Sequence, residues 1–154
     1  MANKQADPDH QSAGAWAKKY HLASRAVMES VLRPFDLGPT QWYVLYTLAT
    51  TGPTRQRDLV RLLDVERATL TAIVAALVRK GLVEQHSDAV DQRQKLLTMT
   101  ADGVALWERL PDPIKLILDT AFDGIPDADV ATTTDVLRLA TTRLTELSSK
   151  GTTP

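Results

Sequence analysis

The sequence contains no cysteine, which removes disulfides, thiolate metal sites, thiol nucleophiles and cysteine redox sensing together. Histidine is almost as scarce: His10, His21 and His86 are scattered, and no HExxH occurs. There is no glycine-rich phosphate loop and no paired acid and base that spacing would bring together, so the constellations from which catalysis is read are missing. The chain reads as a non-enzyme with no metal and no cofactor. No apolar run reaches the roughly 18–20 residues that cross a bilayer, and the opening MANKQADPDHQ has no apolar signal core. A soluble, cytoplasmic protein is expected.

What is present is ordinary for a globular chain: 154 residues, 44% hydrophobic and 24% charged, enough for one domain with a real core. The net charge of −1 conceals an asymmetry. Residues 54–95 carry eight Lys/Arg against six Asp/Glu, residues 96–154 five against nine, and residues 1–53 five against four. The middle is the only clearly basic segment, but an excess of two does not by itself decide for nucleic acid. Position and motif have to carry that argument.

Residues 1–11 are polar and read as a flexible arm. From Ser12, Trp16, Tyr20, Ala23, Val27 and Val31 recur at helical spacing, and Pro34 stops the helix near Arg33. Gly38-Pro39 opens a second helix with Pro39 at its first position and Trp42, Leu45, Tyr46 and Leu48 inside; Gly52-Pro53 closes it. Thr54 is expected to cap a short third helix, Arg55 to Leu63, with Leu59, Leu62 and Leu63 inward and Arg55, Gln56, Arg57 and Arg61 outward. After a turn at Asp64-Val65, ERATLTAIVAALVRK is a fourth helix burying Leu70, Ile73, Val74 and Leu77, with Gly81 as its stop. Two helices joined by so short a turn form a helix-turn-helix.

Leu82 to His86 and Lys95 to Met99 read as two antiparallel strands with a polar tip, DAVDQRQK, between them. Thr100 caps a fifth helix that Pro111 and Pro113 must break before Ile114 to Phe122. A last helix, from about Asp127 to Ser149, shows Val130, Leu137, Ala140, Leu144 and Leu147 on one face; residues 150–154 read as a tail. The expected fold is mainly α with a small β-hairpin wing.

RQRDLVRLLDVERATLTAIVAALVRKGLV, then Asp91-Gln92-Arg93 in the tip, then Leu97-Thr98-Met99-Thr100-Ala101-Asp102-Gly103, stand in the order and spacing of one family: the chain resembles the MarR family of winged helix-turn-helix transcriptional regulators over roughly residues 38–105. The resemblance implies a winged helix-turn-helix core at 38–105 flanked by dimerisation helices at 12–37 and 106–149. The Pro111/Pro113 pair departs from the long uninterrupted helix usual in that family.

In such a fold the fourth helix enters the major groove, exposing Glu66, Arg67, Thr69 and Thr71 near its N-terminus. Arg67 can donate bidentately to guanine; Thr69 and Thr71 reach phosphates or a thymine methyl; Glu66 is a base contact or a carboxylate at the helix start. The resemblance places Arg93 in the adjacent minor groove with Asp91 holding the wing in shape. Arg55, Gln56, Arg57 and Lys95 flank them as phosphate contacts. A solvated helix face is the plain alternative for each.

The resemblance also implies a homodimer on double-stranded DNA, repression at a pseudo-palindromic operator, and release by a small aromatic or anionic ligand. Trp16, Tyr20, His21, Arg25, Trp42 and Tyr46 could line the cleft for that ligand, though aromatics at helical spacing also serve as plain core. The stripes Trp16/Tyr20/Val27/Val31 and Leu137/Leu144/Leu147 could form the dimer surface or an intramolecular core. A winged helix that contacts proteins without specific DNA binding is the rival function.

Overall fold

The computed structural model describes residues 11–151; residues 1–10 of the expected arm and 152–154 of the expected tail lie outside the described residues. The chain divides into two compact units, one reaching to Pro113 and one from Ile114.

The first unit starts with α1 (Ala13–Leu32), whose first turn is capped by Ser12 Oγ accepting from the Ala15 N–H at 3.0 Å. Pro34 cannot donate to a continuing helix, and a 3-10 turn (Arg33–Phe35) follows. α2 (Pro39–Thr51) has its proline at the first position, and the Gly38 N–H donates to Gln41 Oε1 at 3.1 Å. Gly52, at φ 83°, ends it in a conformation that side chains disfavour.

Two expectations fail in the next stretch. Thr54 does not cap a helix: Thr54–Arg55 is a two-residue strand, β1, and the buried Thr54 hydroxyl donates to the Gly52 carbonyl at 2.9 Å. Pairing with Leu97 and Leu96 gives this backbone the partners a cap would otherwise supply, so α3 begins one residue later, at Gln56–Leu63. Leu62 is 64% exposed rather than inward. An eight-residue helix has a narrow inward stripe, here Leu59 buried and Leu63 half-buried, and Leu62 lies roughly 100° of rotation away from Leu63.

α4 (Arg67–Arg79) seals Leu70, Val74 and Leu77 inside, with Ile73 half-buried and Gly81, at φ 72°, just beyond its end. β2 (Val83–Ser87) and β3 (Lys95–Met99) pair antiparallel from Val83↔Met99 to Ser87↔Lys95. The order β1-β3-β2 makes a three-stranded sheet, one strand more than the hairpin expected.

α5 (Ala101–Arg109) is capped by Thr100, whose hydroxyl oxygen accepts from the Gly103 N–H at 3.0 Å. Gly103 is required here, because a Cβ would stand 2.1 Å from the Leu82 carbonyl oxygen. The helix stops before Pro111, as the prolines demand. Leu32, Leu45, Leu59, Leu70, Leu77 and Leu97 are fully buried, each contributing about 1.5–3 kcal/mol by leaving water.

α6 (Pro113–Ala121) begins at the boundary between the units, and the second unit ends in α7 (Asp127–Ser149), in which no residue is buried. Among the described residues no helix is long and apolar enough to cross a membrane.

Candidate nucleic-acid interface

The start of α3, the start of α4 and the wing between β2 and β3 enclose an open groove of about 440 Å³. It is lined by Gln56, Arg57, Val60 and Arg61 from α3, Arg67 and Thr71 from α4, and Arg93, Gln94 and Lys95 from the wing. Six of the eight residues expected to meet DNA therefore converge. Thr69 is exposed on α4 but off this groove, and Arg55 turns elsewhere. Five cations and no carboxylate line the groove. The side chains of Arg61, Arg67, Arg93 and Lys95 form no ion pair with any described residue, while Arg57 Nε lies 3.9 Å from Asp58. Arg61 was legible as an outward residue one turn after Arg57, yet no motif marked it.

The floor is held by a short relay. Thr71 Oγ1 donates to the Arg67 carbonyl at 2.9 Å and accepts from Gln56 Nε2 at 3.2 Å; Gln85 Nε2 donates to Gln56 Oε1 at 2.8 Å. Gln56 is thus a tie between α3, α4 and β2 as well as a groove residue. Glu66 stands at the N-cap position of α4 without a side-chain capping bond.

The wing contains a group that motif reading passed over. Asp88 is 6% exposed. Its Oδ2 accepts from Arg55 Nε at 2.6 Å, and its Oδ1 accepts from the N–H groups of Val90 at 2.8 Å and Asp91 at 3.3 Å. The Arg55 hydrogen bond first, and then the two backbone donors, hold its carboxyl down to about 2. Arg55 is correspondingly pushed up by the same partner. Asp91 lies within the wing: its Oδ1 accepts from the Arg93 N–H at 3.1 Å and its carbonyl from the Gln94 N–H at 2.8 Å. An aspartate three residues before Asp91, in a turn-forming stretch, was the available signal for Asp88; its partner lies 33 residues away.

The residues named for a ligand do not form one cavity within the chain. Trp42 and Tyr46 stack with centroids 5.2 Å apart, and Trp107 joins them at 5.6 and 6.1 Å. Beside this cluster lies a small cavity of about 140 Å³, lined also by Leu110, Pro111 and Asp112. The indole Nε1 of Trp42 is buried without a hydrogen-bond partner among the described residues. Trp16, Tyr20, His21 and Arg25 sit on exposed positions of α1. There Trp16 Nε1 donates to Gln11 Oε1 at 3.2 Å and Arg25 Nε pairs with Glu29 at 3.1 Å. Burial, with Tyr20 nearby, raises the Tyr43 hydroxyl pKa. Among the described residues no cluster of three or more His, Asp or Glu is placed to hold a metal ion.

Residues 35–94 match the profile of the MarR family. The chain is 37% identical over 79 residues to the uncharacterized HTH-type transcriptional regulator YwoH of Bacillus subtilis, an alignment covering 51% of this chain and 57% of that protein. The chain thus spans little more than half the length of the curated relative it matches. In fold it is similar to BpsR of Bordetella bronchiseptica, whose DNA binding is regulated by 6-hydroxynicotinic acid. The TM-score is 0.76 at 23% identity, over 86% of this chain and 95% of that one. It is also similar to a mutant MarR from E. coli complexed with operator DNA, with a TM-score of 0.72 at 23% identity over 82% and 91% of the two chains.

Proposed function

We propose, from the match of residues 35–94 to the MarR family, that this chain binds a pseudo-palindromic operator as a homodimer and represses transcription there. The observation that carries the reading is the groove in which Arg57, Arg61, Arg67, Arg93 and Lys95 converge with no carboxylate among its lining. Phosphates are the natural occupants of such a surface, and neutralising them releases counterions. With α4 in the major groove, Arg67 reads guanine, and Thr69 and Thr71 reach phosphate or a thymine methyl. Arg57, Arg61, Gln56 and Lys95 hold the backbone, and Arg93 enters the minor groove where A·T-rich sequence narrows it.

One winged helix buries little DNA surface, so a second copy is needed to reach half-sites roughly 34–36 Å apart. The exposed apolar side chains Trp16, Tyr20, Leu22 and Val27 on α1 are one candidate dimer surface, and Val136, Leu137, Leu139, Leu144 and Leu147 on α7 are another. Bound at a promoter, the dimer blocks polymerase; a role on genomic DNA implies the cytoplasm. Release is assigned to a small aromatic or anionic ligand, with the Trp42/Tyr46/Trp107 cavity as its seat and Trp16, Tyr20, His21 and Arg25 as further candidates. Such a ligand shifts the balance only if it binds the two conformations unequally.

The experiment is selection of bound duplexes from a random pool, followed by titration in salt. A pseudo-palindrome with half-sites one turn apart, and a log–log salt slope near −0.9 per phosphate contact, is the expected result. No enrichment would transfer the fold to a protein-contacting role.

A further inference from the structure

Asp88 is held from three sides. Its own N–H donates to the Gln94 carbonyl at 2.9 Å and closes the base of the wing loop. Its Oδ1 gathers the Val90 and Asp91 N–H groups inside the loop. Its Oδ2 leaves the loop altogether to meet Arg55, a residue of β1 paired with Leu96 and standing at the N-cap position of α3. The hydrogen bonds then run in series toward the groove: Arg55 Nε to Asp88, the Asp91 N–H to Asp88, and the Arg93 N–H to Asp91.

A loop carried only on a two-stranded hairpin is free to swing, and a swing displaces its outermost side chain most. Here the loop is fastened a second time, to the strand that leads directly into α3. The carboxylate end of the fastening is buried, Asp88 being 6% exposed, while the Arg55 side chain is 34% exposed. Removing Arg55 therefore strands a buried carboxylate.

We infer that Asp88 and Arg55 form a latch that positions the wing, so that Arg55 influences DNA binding through the placement of Arg93 and is not itself a phosphate contact. The inference rests on the DNA-binding reading above and deepens it, because it converts one expected backbone contact into a determinant of minor-groove readout. Geometry supports the exchange of roles: the Nε of Arg55 is committed to Asp88, and Arg55 is absent from the lining of the groove that holds Arg57, Arg61 and Arg67.

The test is a double-mutant cycle. Asp88→Asn keeps an oxygen for the loop N–H groups but ends the ion pair; Arg55→Met keeps the stem and ends it from the other side. Each is measured alone and with Arg93→Ala, on the selected operator with A·T-rich and with G·C-rich flanks. Each single variant should weaken binding to A·T-rich flanks by about five- to tenfold, narrow the preference over G·C-rich flanks, and leave the salt slope unchanged. With Arg93→Ala in place, either variant should add less than about twofold. Equal losses on both flanks that persist without Arg93, with a salt slope shallower by about one contact, would show Arg55 to be a phosphate ligand and overturn the latch.

Amide exchange in the free protein separates this outcome from failure of the DNA-binding reading. Arg55→Met should speed exchange at Val90, Asp91 and Arg93 by about tenfold while leaving Leu70 and Val74 protected. Unchanged rates in the loop would reject the latch whether or not any duplex binds.

Discussion

α4 and α7 are both amphipathic helices, and they complete themselves differently. α4 seals Leu70, Val74 and Leu77 within its own unit and turns Arg67 and Thr71 to a cationic groove. α7, ten residues longer, buries nothing and leaves Leu144 66% exposed. An apolar stripe held in water forgoes about 25 cal/mol for each Å² it could cover. On the proposed reading, α4 is a finished reading head, while the exposed stripe of α7 is half of an interface.

The largest effect should come from breaking the interface. Leu144→Asp combined with Leu147→Asp should turn a dimer into a monomer in analytical ultracentrifugation and weaken operator binding by about a hundredfold or more, since the second half-site is no longer tethered. Melting of the first unit should be little changed. A dimer that survives the double substitution would make α7 an ordinary solvated helix and collapse the contrast.

Gly103→Ala sharpens the other side. Its new methyl would meet the Leu82 carbonyl oxygen at 2.1 Å, so α5 must move off the sheet, and a loss of about 1–3 kcal/mol is expected in chemical denaturation. Full stability in this variant would mean that the first unit is looser than its packing implies.

Arg67→Ala should leave stability unchanged and cost about 1–3 kcal/mol of specific binding in a titration, relaxing the choice of base at one position of each half-site. Equal weakening on every duplex would reassign Arg67 to the phosphates.

The smallest effect is that of acid on the wing. The Asp88 carboxyl is held at about 2, below the ordinary value of about 3.9, so its contribution is fully present above that ordinary value. It is lost as the pH falls from about 4 toward 2. Val90 and Asp91 amide exchange, corrected for its intrinsic pH dependence, should be flat from pH 7 to about 4.5 and rise only below that range. A rise beginning near neutrality would remove Asp88 as the anchor.

Much of the reading head was legible because its signals are local. Gly38-Pro39 and Gly52 bound α2, Thr100 caps α5, Gly81 ends the stretch after α4, and the spacing of Leu70, Val74 and Leu77 marks the buried face; each needs only neighbours within about one helical turn. The D-x-R triplet, the residues of α3 and α4, and Lys95 at the start of β3 likewise gave six groove residues without knowledge of the groove. β1 was not legible, since two residues carry no period and become a strand only when Leu96 and Leu97 arrive beside them. Leu62 looked as apolar as Leu59, and only the rotation of a short helix separates them.

Local sequence was enough to bound α1, α2, α4 and α5, to mark the apolar face of α4, and to gather cations in the segment 54–95, because backbone preference and side-chain period act between near neighbours. Tertiary structure alone decided that Arg55 belongs to Asp88, that Gly103 lies against Leu82 and that Trp107 completes the ring cluster of Trp42 and Tyr46. Those pairings join residues far apart in the chain, and their energy comes from burial and hydrogen-bond geometry that exist only once the chain has folded.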